Sequence, residues 1–430
     1  MKSPLRIVRV LLAGALVVAG VANAQDWEQI SLKGLVDDNG ELLASDGSTL
    51  KDQGGSPLVP SCALGPAARG EFGPFRFFVQ EGSLDKLLIF HDGGGACWEA
   101  NTCARPFVAG GQGTYDPTIS ETEDTLASAG GVLDDANPNN PFHGWTKVFI
   151  PYCTGDVGWG NNVVSYAGLP FPIHHRGYAN IRAALRWVED HYWGQPPSQV
   201  VVAGVSAGAY ASPGTVFPEV QRLFPRAKTA VIADSGNGVV TDSFLEDARA
   251  NWALDRTLPV YLRRVLSQGA NRLPVRFFGE LTARFPHTRF GQFQNAYDSI
   301  QIVVYNIMKY TPDPELWRDI GALMPSLVEW SAGARLAANL SARASNYRFY
   351  TAAGTEHGIL VNIPPEANAG FCSDDFYTEN SAGGLRFRDW VDDMVNRGGF
   401  LWATRYWRNA TCFPNCIQAP QEGCSPEVQP

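Results

Sequence analysis

The sequence has no excess of basic residues, no internal repeat and no low-complexity tract. Its 34 Lys and Arg residues stand against 43 Asp and Glu residues, so the 430-residue chain has a formal net charge of −9. A protein that binds nucleic acid by neutralising phosphates is therefore not expected, and an anionic membrane surface is a poor partner. Hydrophobic residues make up 45% of the chain, which is enough to bury a core and excludes an intrinsically disordered protein.

A long hydrophobic run is also missing. The N-terminal apolar stretch at residues 10–22 is shorter than the about 20 residues that a membrane-spanning helix needs. Three basic residues precede it and an Ala-Asn-Ala motif ends at residue 24, so residues 1–24 are predicted to be a secretory signal peptide. Cleavage would remove three basic and no acidic residues, leaving a net charge of −12. We expect a secreted or periplasmic protein without a stable membrane anchor.

CxxC pairs are absent as well, although the chain contains eight cysteines. All of them follow residue 24, and an even number in an oxidising compartment predicts disulfides. A zinc site in the cluster of Cys412, Cys416 and Cys424 is the alternative, but no His lies near them in the sequence. Spacing by itself favours one local bridge, between Cys97 and Cys103.

Short apolar runs alternate with glycine-rich turns or helical patterns along the chain. Such runs indicate a parallel sheet covered by helices on both faces, and hence one α/β domain over residues 25–430. Helices are predicted over Tyr178–Tyr192 and over residues 209–224. The predicted strands are Lys86–Phe90, Thr146–Ile150, Gln199–Ala203, Thr229–Ala233 and Tyr347–Thr351.

The third of these strands leads into a G-x-S-x-G motif, Gly204-Val205-Ser206-Ala207-Gly208. Glycines two residues either side of the serine permit a tight turn from strand to helix, which exposes the hydroxyl at the carboxyl edge of the sheet. Because the predicted strand and helix flank the motif in the required order, Ser206 is the predicted nucleophile.

A serine nucleophile needs a base and an acid, which in this type of site follow the serine along the chain. Of the two histidines after Ser206, His357 follows a predicted strand, whereas His287 lies in an Arg-rich stretch without one. His357 is therefore the predicted base. The acid is Asp234 or Asp298, and the residues alone leave both open.

Residues 91–97, His-Asp-Gly-Gly-Gly-Ala-Cys, follow the first predicted strand, where a glycine-rich loop can bring backbone N–H groups to a substrate oxygen. A phosphate-binding loop is the alternative, but its spacing and its lysine are missing. We predict an oxyanion hole formed by the N–H groups of Gly94, Gly95 and Ala207.

Taken together, these motifs resemble the pectin acetylesterase and Notum carboxylesterase family. The resemblance implies an α/β-hydrolase fold, Asp298 as the catalytic acid, and Asp234 as a structural residue. Two departures weaken the inference about substrate: Ala96 stands where the family often has an aromatic residue, and the sequence around His357 differs. The matching segments, in chain order between positions 91 and 416, are HDGGGACWEANTC, FIPYCTGDVGWG, VVVAGVSAGAY, QNAYDSIQI and TCFPNC.

The resemblance also implies two disulfides. It pairs Cys97 with Cys103, as the spacing does, and it pairs Cys62 with Cys153. The second pair would link segments that lie far apart in the sequence.

The predicted reaction is two-step acyl transfer on an ester, with no metal or organic cofactor. The resemblance suggests an acetylated polysaccharide such as pectin. Seven arginines between positions 256 and 289 would suit an anionic polymer if they belong to a cap over the site, and the favoured alternative is a solvated helical face whose Arg stems cover apolar surface. That cap is predicted as a helical insertion at about residues 236–290. The alternatives are a Notum-like hydrolase of lipid or longer-acyl esters, and a non-catalytic secreted binding protein.

Overall fold

The computed structural model of the protein describes residues 27–68, 74–108, 113–119, 130–361, 376–397 and 405–417. The predicted signal peptide, Cys372 and Cys424 lie outside these ranges. The strands are β1 (Glu28–Ser31), β2 (Arg76–Gln80), β3 (Ser83–His91), β4 (Trp145–Ile150), β5 (Asn162–Val164), β6 (Ile173–His175), β7 (Gln199–Val205), β8 (Lys228–Asp234), β9 (Arg289–Asn295), β10 (Tyr347–Ala352) and β11 (Ala410–Thr411). The α-helices are α1 (Ala100–Ala104), α2 (Gly177–His191), α3 (Ala207–Ala211), α4 (Phe217–Leu223), α5 (Asp242–Asn251), α6 (Leu254–Thr257), α7 (Val260–Leu266), α8 (Leu273–Arg284), α9 (Ser299–Lys309), α10 (Ile320–Ser341) and α11 (Phe387–Val395).

Within the described residues, nine strands form one sheet in the order β1-β2-β4-β3-β7-β8-β9-β10-β11, and β5 pairs separately with β6. The strands β1 and β2 run antiparallel to their neighbours, whereas every pair from β4 to β11 is parallel. The predicted α/β class with a mostly parallel sheet is therefore confirmed. Because the central strands are buried on both faces, they contain the continuous apolar runs seen in the sequence.

The register of the central strands aligns their carboxyl ends. Gly204 in β7 lies opposite His91 in β3 and Ala233 in β8, so the residues that follow these three strands meet at one edge of the sheet. In open α/β sheets this edge is where ligands bind. The loops after β9 and β10 reach the same edge, because both strands run parallel to β8.

One of the two predicted helices is interrupted in the structure. The segment at residues 209–224 is not a single helix, because α3 passes into a π-helical turn at Ser212–Val216 before α4 begins. Pro213 lies in this turn and has no N–H to donate to the preceding carbonyl of Ala209, which favours the wider turn. The other predicted helix agrees with α2 to within one residue at each end.

The four helices α5 to α8 lie between β8 and β9, and we call residues 242–284 the cap segment. Its buried side chains, such as Phe244, Trp252 and Phe277, join the main hydrophobic core of the molecule. The insertion predicted at about residues 236–290 corresponds to the chain between the end of β8 at Asp234 and the start of β9 at Arg289, and its role as a cap stays a prediction. Within the described part of the chain, no helix is both long and apolar enough to cross a bilayer.

Disulfides connect several of the loops. Cys62 is bonded to Cys153, and Cys97 is bonded to Cys103, which are the two pairs that the family resemblance implies. A third bond joins the predicted zinc-site candidates Cys412 and Cys416. The sequence reasoning missed this local bridge, although its separation of 4 residues is shorter than that of the bridge that spacing favoured.

Candidate active site

Ser206 lies on the turn between β7 and α3, with backbone angles of φ 54° and ψ −117°. A positive φ is unusual for a residue with a side chain, and the surroundings must hold it in place. A Cβ on Gly208 would lie 2.0 Å from the His91 carbonyl oxygen, and a Cβ on Gly204 would lie 2.4 Å from the Gly208 carbonyl oxygen. Both glycines of the motif are thus required by close backbone contacts, and the serine side chain faces a cavity.

His357 and Asp298 meet beside this turn. The Nδ1 atom of His357 lies 2.9 Å from Oδ2 and 3.0 Å from Oδ1 of Asp298, and both side chains are buried. Asp298 is the N-cap of α9, where Oδ1 accepts from the Gln301 N–H at 2.9 Å. The Gln294 side-chain amide donates to Oδ2, also at 2.9 Å. The carboxylate is therefore held on both oxygens by α9, β9 and the imidazole.

The two nitrogens of the His357 ring have different surroundings. Burial lowers the pKa of this imidazole, but the charge and hydrogen bond of Asp298, together with the charge of Asp234, outweigh burial and raise it above the ordinary value of 6.5. The Nε2 atom has no hydrogen-bond partner among the described residues. No hydrogen bond between Ser206 and His357 is present there either; the serine turn and the His357 loop are linked through Asp234, whose carbonyl accepts from the Ser206 N–H and whose carboxylate accepts from the Ile359 N–H.

The alternative acid, Asp234, makes different contacts. Its carboxylate Oδ2 accepts from the N–H groups of Ile359 and Leu360 at 2.7 and 2.8 Å. Its Oδ1 accepts from the Ser235 hydroxyl at 3.0 Å. Asp298, and not Asp234, is the carboxylate bonded to the imidazole. The other candidate base, His287, is exposed and lies just before β9, at the opposite edge of the sheet.

The glycine-rich loop after β3 approaches Ser206 closely. A Cβ on Gly93 would lie 2.9 Å from the Ser206 Cβ, and Gly94 and Gly95 have φ values of 144° and 71°. Gly95 pairs with Tyr115 in an isolated antiparallel β-bridge. Its two hydrogen bonds run from the Ala96 N–H to the Thr114 carbonyl and from the Asp116 N–H to the Gly94 carbonyl, so neither the Gly94 N–H nor the Gly95 N–H takes part in it. The N–H of Ala207 begins α3 and has no acceptor within the helix. The predicted oxyanion-hole donors thus lie around the serine, although their role stays a prediction.

A cavity opens beside Ser206, Gly95 and Ala207. Most of its wall is apolar and comes from the cap segment and α9, which sequence reasoning did not identify. The amphipathic pattern of α5 was a usable signal, because its apolar face covers the cavity. The apolar lining residues include Val157, Trp159, Val240, Phe244, Leu245, Trp252, Leu254, Leu273, Val304 and Met308.

The Arg-rich segment is divided between structural and exposed side chains. Arg256 donates to the Asn161 carbonyl, Arg263 to Gln53, and Arg289 to the carbonyls at the end of α11. The remaining four, Arg264, Arg272, Arg276 and Arg284, are exposed. None of the seven lines the described wall of the Ser206 cavity.

One group of potential metal ligands is found in the described residues, namely Cys97, Cys103 and His175. The two sulfurs are joined in a disulfide, so neither offers a thiolate to a metal. The Tyr166 hydroxyl lies 2.8 Å from the His175 Nε2 atom, and the Nδ1 atom lies 3.0 Å from the Thr154 carbonyl. These residues therefore form a buried structural cluster.

Comparison with known proteins gives three likenesses. A family model described as Pectinacetylesterase matches residues 74–326, which is more than half of the chain. The palmitoleoyl-protein carboxylesterase NOTUM of Schmidtea mediterranea is 36% identical over 87 residues, covering 20% of this chain and 16% of that protein. The chain thus matches less than a fifth of the length of this curated relative. Two crystal forms of the Wnt deacylase Notum from Drosophila align with TM-scores of 0.49 and 0.48, at 16% and 17% identity, over 70% of this chain and 83% of theirs.

Proposed function

Because the chain belongs to the pectinacetylesterase family and is thus a carboxylic ester hydrolase, we propose that Ser206, His357 and Asp298 form its catalytic triad. The observation that carries this proposal is the pairing of the His357 Nδ1 atom with Asp298, which leaves Nε2 unpartnered among the described residues beside the strained serine turn. The Asp298 contact fixes the proton on Nδ1, so Nε2 is the basic nitrogen. Family membership also argues against a non-catalytic binding protein.

In the proposed mechanism, Nε2 of His357 takes the proton of Ser206 as the serine oxygen attacks the ester carbonyl. The carbonyl oxygen becomes negatively charged and is stabilised by the N–H groups of Gly94, Gly95 and Ala207. His357 then gives its proton to the leaving alcohol, and an acyl-enzyme remains on Ser206. Water, activated by the same imidazole, releases the acid. Asp298 holds the ring and stabilises the imidazolium throughout.

The cavity favours an ester with an apolar acyl group. Aliphatic and aromatic side chains of the cap segment, of α9 and of the loops beside them form most of its wall. Burying a methylene group in such a site contributes about 0.8 kcal/mol. We therefore place medium-length or longer acyl chains first among the substrates, which is the Notum-like alternative of the sequence reasoning.

An acetylated polysaccharide such as pectin is the second candidate. The description of the matching family favours it. The four exposed arginines of the cap segment would suit an anionic polymer, but the other three are engaged within the protein and none of the seven lines the described cavity wall, so the charge argument for this candidate is weak.

Two measurements test the function. Ser206→Ala is expected to lower kcat by about 10⁴-fold or more and to abolish labelling by a fluorophosphonate probe. The matched control Ser267→Ala removes an exposed hydroxyl outside the cavity and should leave both unchanged. Full activity in Ser206→Ala would overturn the proposed triad.

A panel of nitrophenyl esters, run beside acetate release from acetylated pectin and xylan, separates the two substrate classes. An optimum at about eight carbons or more supports the apolar acyl pocket. A strong acetate preference with release from pectin supports the polysaccharide candidate.

We also propose that the protein acts outside the cytoplasm. The three disulfides of the described residues need an oxidising compartment to form and persist. Detection of the enzyme in the culture medium or the periplasmic fraction of its producing cells would test this localisation.

A further inference from the structure

Asp234, at the end of β8, is a fully buried carboxylate that the proposed mechanism does not use. It lies next to the site without bonding to His357 or Asp298 among the described hydrogen bonds. Burying a charge in this way is costly unless its oxygens accept several hydrogen bonds. The identity of its donors therefore indicates what the residue does.

The donors of Asp234 belong to the loop that carries the proposed base. Its Oδ2 accepts from the N–H groups of Ile359 and Leu360, two and three residues after His357. Its Oδ1 accepts from the Ser235 hydroxyl, and the oxygen of that hydroxyl accepts from the Gly358 N–H at 2.9 Å. The N–H groups of the three residues that follow His357 are thus bonded to the side chains of one dipeptide, Asp234-Ser235.

The main chain of the same dipeptide holds the other two triad segments. The Asp234 carbonyl accepts from the Ser206 N–H at 2.8 Å, at the strained nucleophile turn. The Ser235 carbonyl accepts from the Gln301 side chain at 2.8 Å, and the backbone N–H of that glutamine donates to Asp298 Oδ1. Ser235 itself has a positive φ of 58°, so this junction contains a second unusual backbone conformation.

We propose that Asp234 is a positioning residue for the esterase reaction, which fixes the His357 loop relative to Ser206 and adds a second negative charge near the imidazole. The proposal rests on the proposed triad and goes beyond it, because three segments that are distant in sequence converge on the Asp234-Ser235 dipeptide, and the Asp234 side chain itself holds the His357 loop. Without the carboxylate, the N–H groups of Ile359 and Leu360 lose their buried acceptor, and the loop that carries His357 is free to shift.

The charge of Asp234 has a measurable consequence. Burial raises the pKa of Asp234 to about 6, although its three hydrogen bonds lower it, and the charge of Asp234 in turn raises the pKa of His357. The titratable groups at this junction include Asp234, His357 and Asp298, with Tyr210 from α3 near Asp298 and Glu356 next to His357 in the chain, where its carboxylate accepts from the Thr355 N–H. Removing the Asp234 charge while Asp298 remains should therefore lower the pKa of His357.

Asp393 provides a matched control. It is also fully buried, and its Oδ2 accepts from two consecutive backbone N–H groups, those of Tyr406 and Trp407. It lies on α11, near Arg289 at the start of β9, which is the sheet edge opposite the site. A purely structural carboxylate and a positioning carboxylate can thus be compared in one protein.

The experiment measures kcat, KM, the pH dependence of kcat/KM and the melting temperature for Asp234→Asn, Asp234→Ala and Asp393→Asn in the full chain. Asp234→Asn keeps a carbonyl oxygen for the two N–H groups but removes the charge, so the acidic limb should move to lower pH by about half a unit or more. Asp234→Ala should lower kcat by about 10- to 100-fold, because small misplacements of a catalytic group have effects of this size. Its KM should stay within about twofold, since residues 357–360 are not among those lining the cavity.

Asp393→Asn should lower the melting temperature without moving the pH profile. If Asp234→Asn leaves both kcat and the acidic limb at their wild-type values, or if Asp393→Asn moves the limb equally, the positioning role is wrong. Either result overturns the role even if Asp234→Ala does not fold. Ser206→Ala in the same assay keeps the two proposals separate, because its activity reports on the triad and not on Asp234.

Discussion

Ser206 depends on two neighbouring glycines for its backbone conformation. The contacts that a Cβ would make at Gly208 are with main-chain atoms, which cannot move away as the end of a flexible side chain can. Contacts of single residues with neighbouring main-chain atoms therefore hold the serine turn in its strained conformation.

Gly208→Ala tests this dependence. Overpacking against the His91 carbonyl should destabilise the protein by about 1–3 kcal/mol and lower kcat by more than about tenfold, because the serine turn must shift. The control is Gly279→Ala in α8, where an added Cβ meets nothing within 4 Å. It should stabilise by about 0.5–1 kcal/mol with unchanged kcat. Urea denaturation with steady-state kinetics measures both, and an active, stable Gly208→Ala enzyme would contradict the close contact.

The proposed base sets the pH dependence of activity. His357 must be neutral to accept the serine proton, and its pKa lies above 6.5 in the folded protein. Activity should therefore fall as the pH is lowered, with a midpoint of kcat/KM above 6.5. Asp298→Asn should lower kcat by about 10⁴-fold, since the proton would no longer be held on Nδ1. A midpoint well below 6.5 in the wild-type enzyme would argue against the assigned ion pair.

At the scale of elements, the cap segment has two structural roles. Its apolar residues line the cavity, and its first helix is bonded to the glycine-rich loop. The Trp252 indole donates to the Cys97 carbonyl at 2.9 Å, and the Asn251 side chain donates to the Trp98 carbonyl at 2.7 Å. Helix α5 thus fixes the segment that follows the predicted oxyanion donors.

Trp252→Phe tests this link, because it removes the donor while keeping an aromatic side chain at the cavity wall. We expect kcat/KM to fall about fivefold, the equivalent of about 1 kcal/mol for one hydrogen bond. Trp390→Phe is the control, since its indole also donates to a carbonyl, that of Arg408 at 2.8 Å, but far from the cavity. Equal losses of activity in the two variants would show that the effect is general destabilisation.

At the scale of the whole molecule, the disulfides differ in the length of chain that they close. The Cys62–Cys153 bond spans 91 residues, whereas Cys412–Cys416 spans 4. In the chain-entropy account, a disulfide restricts the unfolded chain, and it removes more conformational entropy when the loop that it closes is longer. The long-range bond should therefore contribute most to stability.

Paired Cys→Ala variants test this order. Removing the Cys62–Cys153 bond should lower the free energy of unfolding by about 4–5 kcal/mol, and removing Cys412–Cys416 by about 2 kcal/mol. Removing Cys97–Cys103 should have the larger effect on kcat, because Cys97 adjoins the glycine-rich loop and its carbonyl receives the Trp252 bond. Guanidinium denaturation and kinetics on each pair give both rankings, and a reversed order of stabilities would refute the loop-length explanation.

Features that depend on local pattern could be predicted from the amino-acid sequence. Continuous apolar runs predicted the central strands, because strands buried on both faces need apolar residues at every position. The two glycines of the G-x-S-x-G motif predicted the serine turn, since only a residue without a Cβ fits the close backbone contacts at their positions. Chain order and the preceding strand then selected His357 over His287.

Contacts across long separations depend instead on the packing of the folded chain. Residues alone left Asp234 and Asp298 open, because each follows a strand that ends at the same sheet edge. The structure shows Asp298 on the imidazole and Asp234 on the loop beyond it, a choice made by side-chain hydrogen bonds between segments more than 50 residues apart. The apolar cavity likewise lies between the cap segment, α9 and the start of α3. Sequence periodicity describes one element at a time, whereas these contacts depend on how separate elements pack together.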